Sequence, residues 1–408
     1  MNGKLYNFVN KKRNNGILNR KYEFDDLFKI LILLLGAIFF FRLVVPVFGM
    51  ISVCFALTFV IELILLYFSL EEKNSHSITV ICILLLTFLA SLYKTSSFSF
   101  SYFKQLVFFS DTVIILFISS NHKLTMSSYK WCDYVITSIG IMFVFCYLVY
   151  PHKYLAGGIL LNYGNPNETG LWIFNIAIFI VITLFNHNQN KWYLYLKIFL
   201  VPLLLYLIIE TRSRTALGAF LLFCIMLLPC VFKQYHRISW GISLFFTAIP
   251  IIFGVLYMTM ISSDFILNLF SFLVSTGKTL TSRSDVWSEA IELIFKSPLF
   301  GNYNELLVGD YMAHMHNAYF DTAARYGLPV LVLVMVFIYN ILDKFSRNEV
   351  DNLRYASICA FYATLAFCCF ESALFFGSTG LPIICSVYLL VANSERNMDL
   401  LKKENYEE

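Results

Sequence analysis

Long apolar runs separated by short polar segments dominate the chain. Each run is about 17–25 residues long, the length that an α-helix needs to cross the roughly 30 Å hydrocarbon core of a membrane. A membrane β-barrel would instead show alternating segments of about ten residues. The pattern therefore predicts about twelve membrane-spanning helices. We place them at residues 28–46, 48–70, 78–93, 103–119, 131–150, 170–186, 193–210, 214–232, 238–260, 328–343, 354–371 and 376–393.

Two segments between predicted spans are too polar to cross a membrane. Residues 151–169 contain Gly164 and the dipeptide Asn165–Pro166, which predict a turn and exclude a regular helix there. Residues 261–327 form by far the longest stretch that is not a plausible span.

The longer of these segments contains helical patterns. From Ser284, apolar residues recur at helical spacing on one face, which predicts an amphipathic helix that begins at a serine cap and stops near Pro298. A second short helix is predicted from about His316 to Arg325, with Gly327 as its C-terminal stop. We expect the segment to form a compact helical cap on the outer ends of the spans.

Composition supports a membrane protein. Of the 408 residues, 59% are hydrophobic and only 14% are charged, whereas a soluble domain keeps about a quarter of its residues charged. We therefore predict an all-α polytopic membrane protein with a helical extracytoplasmic cap. The predicted parts are a basic cytoplasmic segment (1–27), nine spans (28–260), the cap (261–327), three spans (328–393) and a cytoplasmic tail (394–408).

Basic residues set the predicted orientation, because loops that stay in the cytoplasm are enriched in Lys and Arg. The first apolar run is too long and begins too late for a cleavable signal peptide. We expect the basic N-terminus to be cytoplasmic, and the even number of predicted spans then places the C-terminus in the cytoplasm too. Residues 151–169 and 261–327 then lie outside. The net charge of +4 needs no nucleic-acid partner, since most of the basic residues lie on the predicted cytoplasmic side. They include Lys4, Lys11, Lys12, Arg13, Arg20, Lys21, Lys29, Lys73, Lys123, Lys130, Lys191, Lys233, Arg237, Lys344, Arg347, Arg354, Arg396, Lys402 and Lys403.

The ten cysteines do not predict disulfides. Nine lie inside apolar runs and Cys132 lies at the cytoplasmic start of a span, so none falls in an outward segment. Inside an apolar run, a cysteine is most simply a small hydrophobic residue.

Three arginines lie where this orientation places few basic residues. Arg212 and Arg214 fall at the outer mouth between two spans, and Arg283 precedes the amphipathic helix. A guanidinium stays charged and binds phosphate oxygens in a bidentate manner, and a helix N-terminus favours an anion. The alternatives are anchoring of helix ends to Glu210 or to lipid phosphate, and for Arg283 a plain position on a loop surface. The three together favour a lipid-linked phosphate as the ligand.

His316 can gain and lose a proton near neutral pH, so it is the candidate base for an acceptor hydroxyl. Its neighbours His314, Asn317 and Tyr319 could orient it or bind a sugar. For a single histidine, a loop position without a function is the commoner alternative. We predict no metal site, because no acidic or cysteine cluster completes a ligand shell around His314 and His316. No cofactor is predicted either, since the chain has no Asp-x-Asp motif, phosphate-binding glycine loop or dinucleotide fingerprint.

Glu62 is the clearest charged residue deep within a predicted span. An ion-coupled transporter would show more ionisable residues at midplane depth. For Glu62 we therefore expect a hydrogen bond between packed helices.

Several short motifs follow one another in a recognisable order. They are Asn165–Asn167 in an outward segment, Ser213–Ala216 opening a span, Arg283 with Trp287, Pro298–Gly301, and His316–Tyr319 shortly before Gly327. Over roughly residues 160–345, this order resembles the bacterial O-antigen ligase and polysaccharide polymerase family.

The resemblance implies an integral membrane glycosyltransferase with a GT-C-like fold, in the bacterial cytoplasmic membrane. Its donor would be a polyprenyl-diphosphate-linked oligosaccharide, with a glycan acceptor, a flippase and a chain-length regulator as partners. Arg214 and Arg283 would contact the diphosphate, and His316 would act as the base without a metal. The expected substrate-binding residues are Arg212, His314, Asn317, Tyr319, Asn167 and Glu168.

The acceptor decides between two activities within this family. A polymerase joins lipid-linked repeat units, whereas a ligase moves the finished glycan onto lipid A-core. The abundance of Phe, Ile, Lys and Asn indicates an AT-rich genome, of a kind that can lack lipid A. A ligase needs lipid A-core as acceptor, so this composition favours a polymerase. Two other classes stay open: a flippase would show a charged central cavity and symmetric halves, and a scaffold would tolerate the loss of His316 and Arg283.

Overall fold

Apolar runs form α-helices throughout the part of the chain that the structure describes. The computed structural model describes residues 24–71, 76–94, 100–155, 157–163, 165–186, 190–260, 281–302, 315–347, 349–372, 374–375 and 380–394. The first helices are α1 (24–43), α2 (Phe48–Glu71), α3 (His76–Lys94), α4 (Phe100–Asn121), α5 (Met126–Val149), α6 (Pro166–Leu184) and α7 (Lys191–Glu210). They are followed by α8 (Arg214–Met226), α9 (Pro229–Phe232), α10 (Trp240–Met260), α11 (Thr281–Lys296), α12 (Ala318–Tyr326), α13 (Leu328–Ser346), α14 (Asn352–Phe367) and α15 (Gly380–Asn393).

The helices confirm the predicted fold class. Each of the predicted spans lies on a helix. Among the described residues, seven helical segments are long and apolar enough to cross a membrane, and they lie on α2, α3, α5, α6, α7, α8 with α9, and α13. Shorter apolar helices lie within α4, α10 and α15. The chain is therefore an all-α polytopic membrane protein.

Two pairs of short strands lie at opposite ends of the helices. Strand β1 (Tyr154–Leu155) pairs antiparallel with β2 (Gly158–Ile159) between α5 and α6. Strand β3 (Tyr235–His236) pairs antiparallel with β4 (Val350–Asp351), which precedes α14.

Helices α6, α14 and α15 are joined by buried polar groups. The hydroxyl of Tyr388 donates to the backbone oxygen of Asn175 at 2.7 Å, and Thr364 Oγ1 donates to Asn175 Oδ1 at 3.4 Å. Lipid tails are as apolar as the helices, so the hydrophobic effect does not drive helices together inside a membrane, and hydrogen bonds of this kind contribute to their association.

Glu62 on α2 is fully buried and lies close to Asp111 on α4, which is also buried. Neither oxygen of the Glu62 carboxyl group has a hydrogen-bond partner among the residues that the structure describes. The hydrogen bond between helices that we predicted for Glu62 is therefore not observed, although its side chain does lie between the packed helices α2 and α4.

Several helix ends differ from the prediction by a few residues. Helix α6 begins at Pro166 and not near residue 170, because Asn165 caps it and proline suits its first position. Helix α11 begins at Thr281, so Arg283 lies in its first turn and does not precede it. Helix α14 ends at Phe367, four residues before the predicted end of that span at Glu371.

Helix α12 also differs from the predicted cap. It ends at Gly327 as predicted, where φ is +89° and glycine is favoured. Every residue from Ala318 to Tyr326 is buried, so this helix packs inside the bundle, against α3, α10, α11 and α13. A cap helix on the surface would have kept one exposed face.

The cysteines behave as predicted, because all ten are present as free thiols without a disulfide. The basic N-terminal segment before residue 24 and the tail after residue 394 lie outside the described residues.

Candidate active site

His316 forms a hydrogen bond with a carboxylate at one end of the bundle. Its Nδ1 lies 3.1 Å from Oε2 of Glu371, and the two side chains are 26% and 14% exposed. A carboxylate only accepts, so Nδ1 donates this bond and the lone pair of the neutral ring lies on Nε2. A histidine in this form is ready to accept a proton from a substrate.

The backbone around His316 is held on both sides. Trp287 of α11 is fully buried, and its Nε1 donates to the backbone oxygen of Met315 at 2.7 Å. The backbone nitrogen of Met315 donates to Asp321 at 3.4 Å. His316 itself has a φ of +50°, a region that a residue with a side chain seldom adopts.

Asn317 is fully buried, and its side-chain amide forms hydrogen bonds with backbone groups. Its Oδ1 accepts from the nitrogens of Tyr319 and Phe320 at 3.0 and 3.1 Å, so it caps α12. Its Nδ2 donates to Pro250 at 2.8 Å and to Cys369 at 3.2 Å. These contacts use the amide group inside the protein, so of the two roles expected for Asn317 they favour orienting His316 over binding a sugar. Tyr319 is likewise buried, which separates it from the surface that a glycan would reach.

The first turn of α6 contributes two polar side chains. Nδ2 of Asn167 donates to Oε1 of Glu371 at 3.1 Å, so Glu371 joins Asn167 to His316. Glu168 accepts from Nη2 of Arg42 on α1 at 2.9 Å. The guanidinium of Arg42 also lies 4.0 Å from the ring centre of Tyr163.

Sequence reasoning missed Glu371 and Arg42 as site residues. Both are ionisable residues close to the ends of predicted spans, which is where a polar site at the membrane surface would find them. That signal was present in the sequence but did not show that they contact the first turn of α6.

Arg214 opens α8 beside this cluster. Ser213 caps the helix, its Oγ accepting from Ala216 at 3.4 Å. Gly170 of α6 lies against this cap, since a Cβ atom on Gly170 would come within 2.6 Å of Cβ of Ser213. Gly170 lies one helical turn after Asn167, so the start of α8 is close to the residue that contacts Glu371.

Arg212 lies in the turn between α7 and α8 and is exposed. Its φ is +54°, and its guanidinium approaches Gly157 between β1 and β2. The backbone of Thr211 packs on Gly158. The small sheet between α5 and α6 therefore contacts the turn that carries Arg212.

The structure describes Arg283 only in part and does not describe His314. Arg283 lies on α11 one turn before Trp287, whose side chain bonds the residue before His316. The side chain of Arg283 and the whole of His314 lie outside the described residues. Within the described part of the chain, no group of three His, Cys, Asp or Glu residues is arranged to hold a metal ion.

The fold and the site together define a polytopic helical membrane protein with a histidine–carboxylate pair at one end of its helices. Residues 198–335 match the model of a family described as O-antigen ligase. The match contains Arg212, Arg214, Arg283 and His316, although it covers a minority of the 408 residues. No curated protein matches the chain.

This match supports the resemblance to the O-antigen ligase and polymerase family that the motifs indicate. It supports an O-antigen ligase- or polymerase-type function, carried out by a glycosyltransferase-like enzyme on lipid-linked glycans in a membrane.

Proposed function

We propose that this protein polymerises polyprenyl-diphosphate-linked oligosaccharide repeat units into a surface polysaccharide. The reaction takes place at the outer face of the bacterial cytoplasmic membrane, with both termini in the cytoplasm. The observation that carries this proposal is the hydrogen bond between His316 and Glu371, in a chain with an O-antigen ligase family domain. It supplies a base at the end of the helices, where a lipid-linked sugar can reach it.

His316 is the base of the proposed reaction. Its Nε2 takes the proton of an acceptor hydroxyl while that oxygen forms a bond to the anomeric carbon of the donor glycan. The bond from this carbon to the diphosphate breaks at the same time, so direct attack inverts the anomeric configuration. The Glu371 carboxylate holds the ring in the required tautomer and stabilises the imidazolium that forms.

Arg214 and Arg283 bind the departing diphosphate in this proposal. Arg214 is exposed at the start of α8, and Arg283 lies in the first turn of α11, so each also adds to the positive end of a helix dipole. Fixed positive charge at the leaving group lowers the barrier because it stabilises charge that develops in the transition state. We propose that this charge acts in place of a divalent metal.

Asn167 and Glu168 are proposed to border the glycan site together with Arg212. Asn167 and Glu168 are partly exposed although each has a protein partner, and Arg212 is exposed. Asn317 and Tyr319, by contrast, are proposed to hold His316 in place, because their side chains are buried.

Loss of single residues tests the proposal in intact cells. His316→Ala and Arg283→Ala should each leave single repeat units on lipid, while the protein still inserts into the membrane. Asp343→Asn is a suitable control, since it changes a carboxylate in the Arg347 pair at the other end of the bundle. Normal polymer made by the His316 or Arg283 variant would remove that residue from the mechanism.

A ligase is the second candidate, because the matching family is described by that activity. The family match fits both activities equally. The same base and the same diphosphate site would then serve transfer of the finished glycan to lipid A-core. The two activities share the donor chemistry and differ in the acceptor.

A further inference from the structure

A groove of about 500 Å³ lies at the end of the bundle opposite the candidate active site. Helices α8 and α9 run from Arg214 at the site to Phe232 at the groove, 19 residues along one span. At 1.5 Å per residue this is about 28 Å, close to the thickness of the hydrocarbon core. The groove is lined by Pro229, Phe232, Lys233, Tyr235, Arg237 and Tyr355, around His236.

The floor of this groove is fixed. His236 is buried, its Nε2 donates to Oδ1 of Asn352 at 2.7 Å, and its ring stacks on Tyr355 at 4.3 Å between centres. The pairing of β3 with β4 holds the same segment to the start of α14. These contacts tie the floor of the groove to the start of α14.

The rim of the groove is positively charged. Lys233 and Arg237 are exposed, and neither forms an ion pair with any residue that the structure describes. The strand pairing brings two acidic residues to this segment: Asp351, and Glu349, which the same register places opposite Arg237. Glu349 does not line the groove. The Asp351 carboxylate already accepts from the backbone of Arg354 at 2.9 Å and lies 3.8 Å from Nε of that arginine. Asp351 is thus neutralised locally, and among the described residues the groove itself is lined by two basic side chains and by no acidic one.

Exposed apolar side chains continue from the groove along the helices. Phe232 and Trp240 are 83% and 61% exposed, and Val231 beside Phe232 and Leu228 one turn earlier are also exposed. Aromatic rings collect at the level of lipid headgroups, and aliphatic side chains face the acyl chains. The groove therefore presents a cationic pocket at headgroup level with a lipid-facing surface directly beneath it.

We propose that this groove binds the headgroup of an anionic phospholipid, with Lys233 and Arg237 on its phosphate and the acyl chains along α9. A soluble anion would use the two cations but not the apolar surface below them. The charge and the apolar surface together fit a phosphate that carries acyl chains. This site is independent of the proposed glycan chemistry at the other end of the molecule.

Native mass spectrometry of the full-length protein in detergent tests the proposal. The protein is incubated with phosphatidylglycerol or with phosphatidylcholine, and retained lipid is counted. We expect phosphatidylglycerol to be preferred, and Lys233→Gln/Arg237→Gln to lose about tenfold or more of its retention, because each basic residue near an anionic lipid adds to binding. Lys233→Arg/Arg237→Lys, which keeps both charges, should retain the lipid and shows whether the loss comes from misfolding.

Lys191→Gln/Arg347→Gln is the matched control, because it removes two exposed basic residues at the same end but outside the groove. It should retain phosphatidylglycerol like the wild type. Equal retention of both lipids, an equal loss in the control, or unchanged retention in the groove variant would each overturn the proposal. Displacement of the lipid by millimolar inorganic phosphate would also overturn it, since it would indicate a site for a free anion.

Discussion

At the level of single residues, two residues of the candidate site have unusual backbone conformations. Among the described residues other than glycine, Leu161, Asn162, Arg212 and His316 have positive φ. Arg212 and His316 were both singled out from the sequence for their chemistry, and such conformations cost free energy unless the surroundings enforce them. The contacts of Met315 and Asn317 on either side of His316 provide that enforcement.

Glu371 gives the sharpest prediction at this scale. Glu371→Gln keeps the size of the side chain but removes the charge that fixes and stabilises the His316 ring. We expect turnover to fall by roughly 10²–10⁴-fold, as when the carboxylate partner of a catalytic histidine is removed. Turnover is measured with purified protein and a lipid-linked repeat unit, and donor binding should change little.

Glu371→Asp, which restores the charge, should recover part of the lost turnover, and unfolding temperature should stay close to that of the wild type in both variants. Full activity of Glu371→Gln would show that His316 needs no charged partner.

The residues of the site show what a sequence can and cannot reveal. His316 was identifiable because histidine is rare in the chain and stands in a motif. The role of Asn317 was not, because only the folded chain shows that its amide caps α12 and bonds Pro250 and Cys369. Glu371 contacts Asn167 across 204 residues and His316 across 55, and separations of that size leave no local pattern.

At the level of helices, close packing of α6 on α8 sets the position of Arg214. Gly170→Val should separate these helices, because its side chain would meet Ser213 and Thr211. We expect a loss of about 1–3 kcal/mol in stability, the usual cost of overpacking, together with lower turnover. Thermal unfolding in detergent measures the first effect.

Gly218→Ala on α8 is the matched control, since nothing lies within 4 Å of the position that its Cβ would take. This variant should unfold at or slightly above the wild-type temperature. If Gly170→Val were as stable as Gly218→Ala, the packing of α6 on the α8 cap would be wrong.

The helices themselves were largely predictable, because a span must be long and apolar whatever it packs against. The residues at which the helices begin and end were less predictable. Pro166 reads as a turn residue, yet the Asn165 cap makes it the first residue of α6 and so brings Asn167 and Glu168 into a helix. The burial of α12 could not be predicted either, because it depends on the surrounding helices and not on its own pattern.

At the level of the whole molecule, the acceptor separates the two candidate activities. Deletion of a polymerase should leave surface lipid capped with a single repeat unit, whereas deletion of a ligase should leave no cap. We predict the single unit, read by gel analysis of surface glycans. Complete loss of the cap would favour the ligase.

The position of the polar groups along the helices also helps to distinguish the proposed enzyme from a flippase. His316, Glu371 and Asn167 form one hydrogen-bonded chain at one end of the helices. Arg42 pairs with Glu168 in the same helical turn as Asn167. A flippase that alternates between two sides would place its charged groups near the midplane. Transport of a lipid-linked sugar across vesicles by the His316→Ala variant at the wild-type rate, with no polymer formed by either protein, would support the flippase.

The most direct measurement uses purified full-length protein in detergent or vesicles with a polyprenyl-diphosphate-linked repeat unit as both donor and acceptor, and reads product mass. We expect a ladder that grows by one repeat unit per step, with release of polyprenyl diphosphate and without added divalent metal. The His316→Ala protein, folded and inserted, should form no ladder. Repeat units joined equally well by the His316→Ala protein would show that this histidine is not the base.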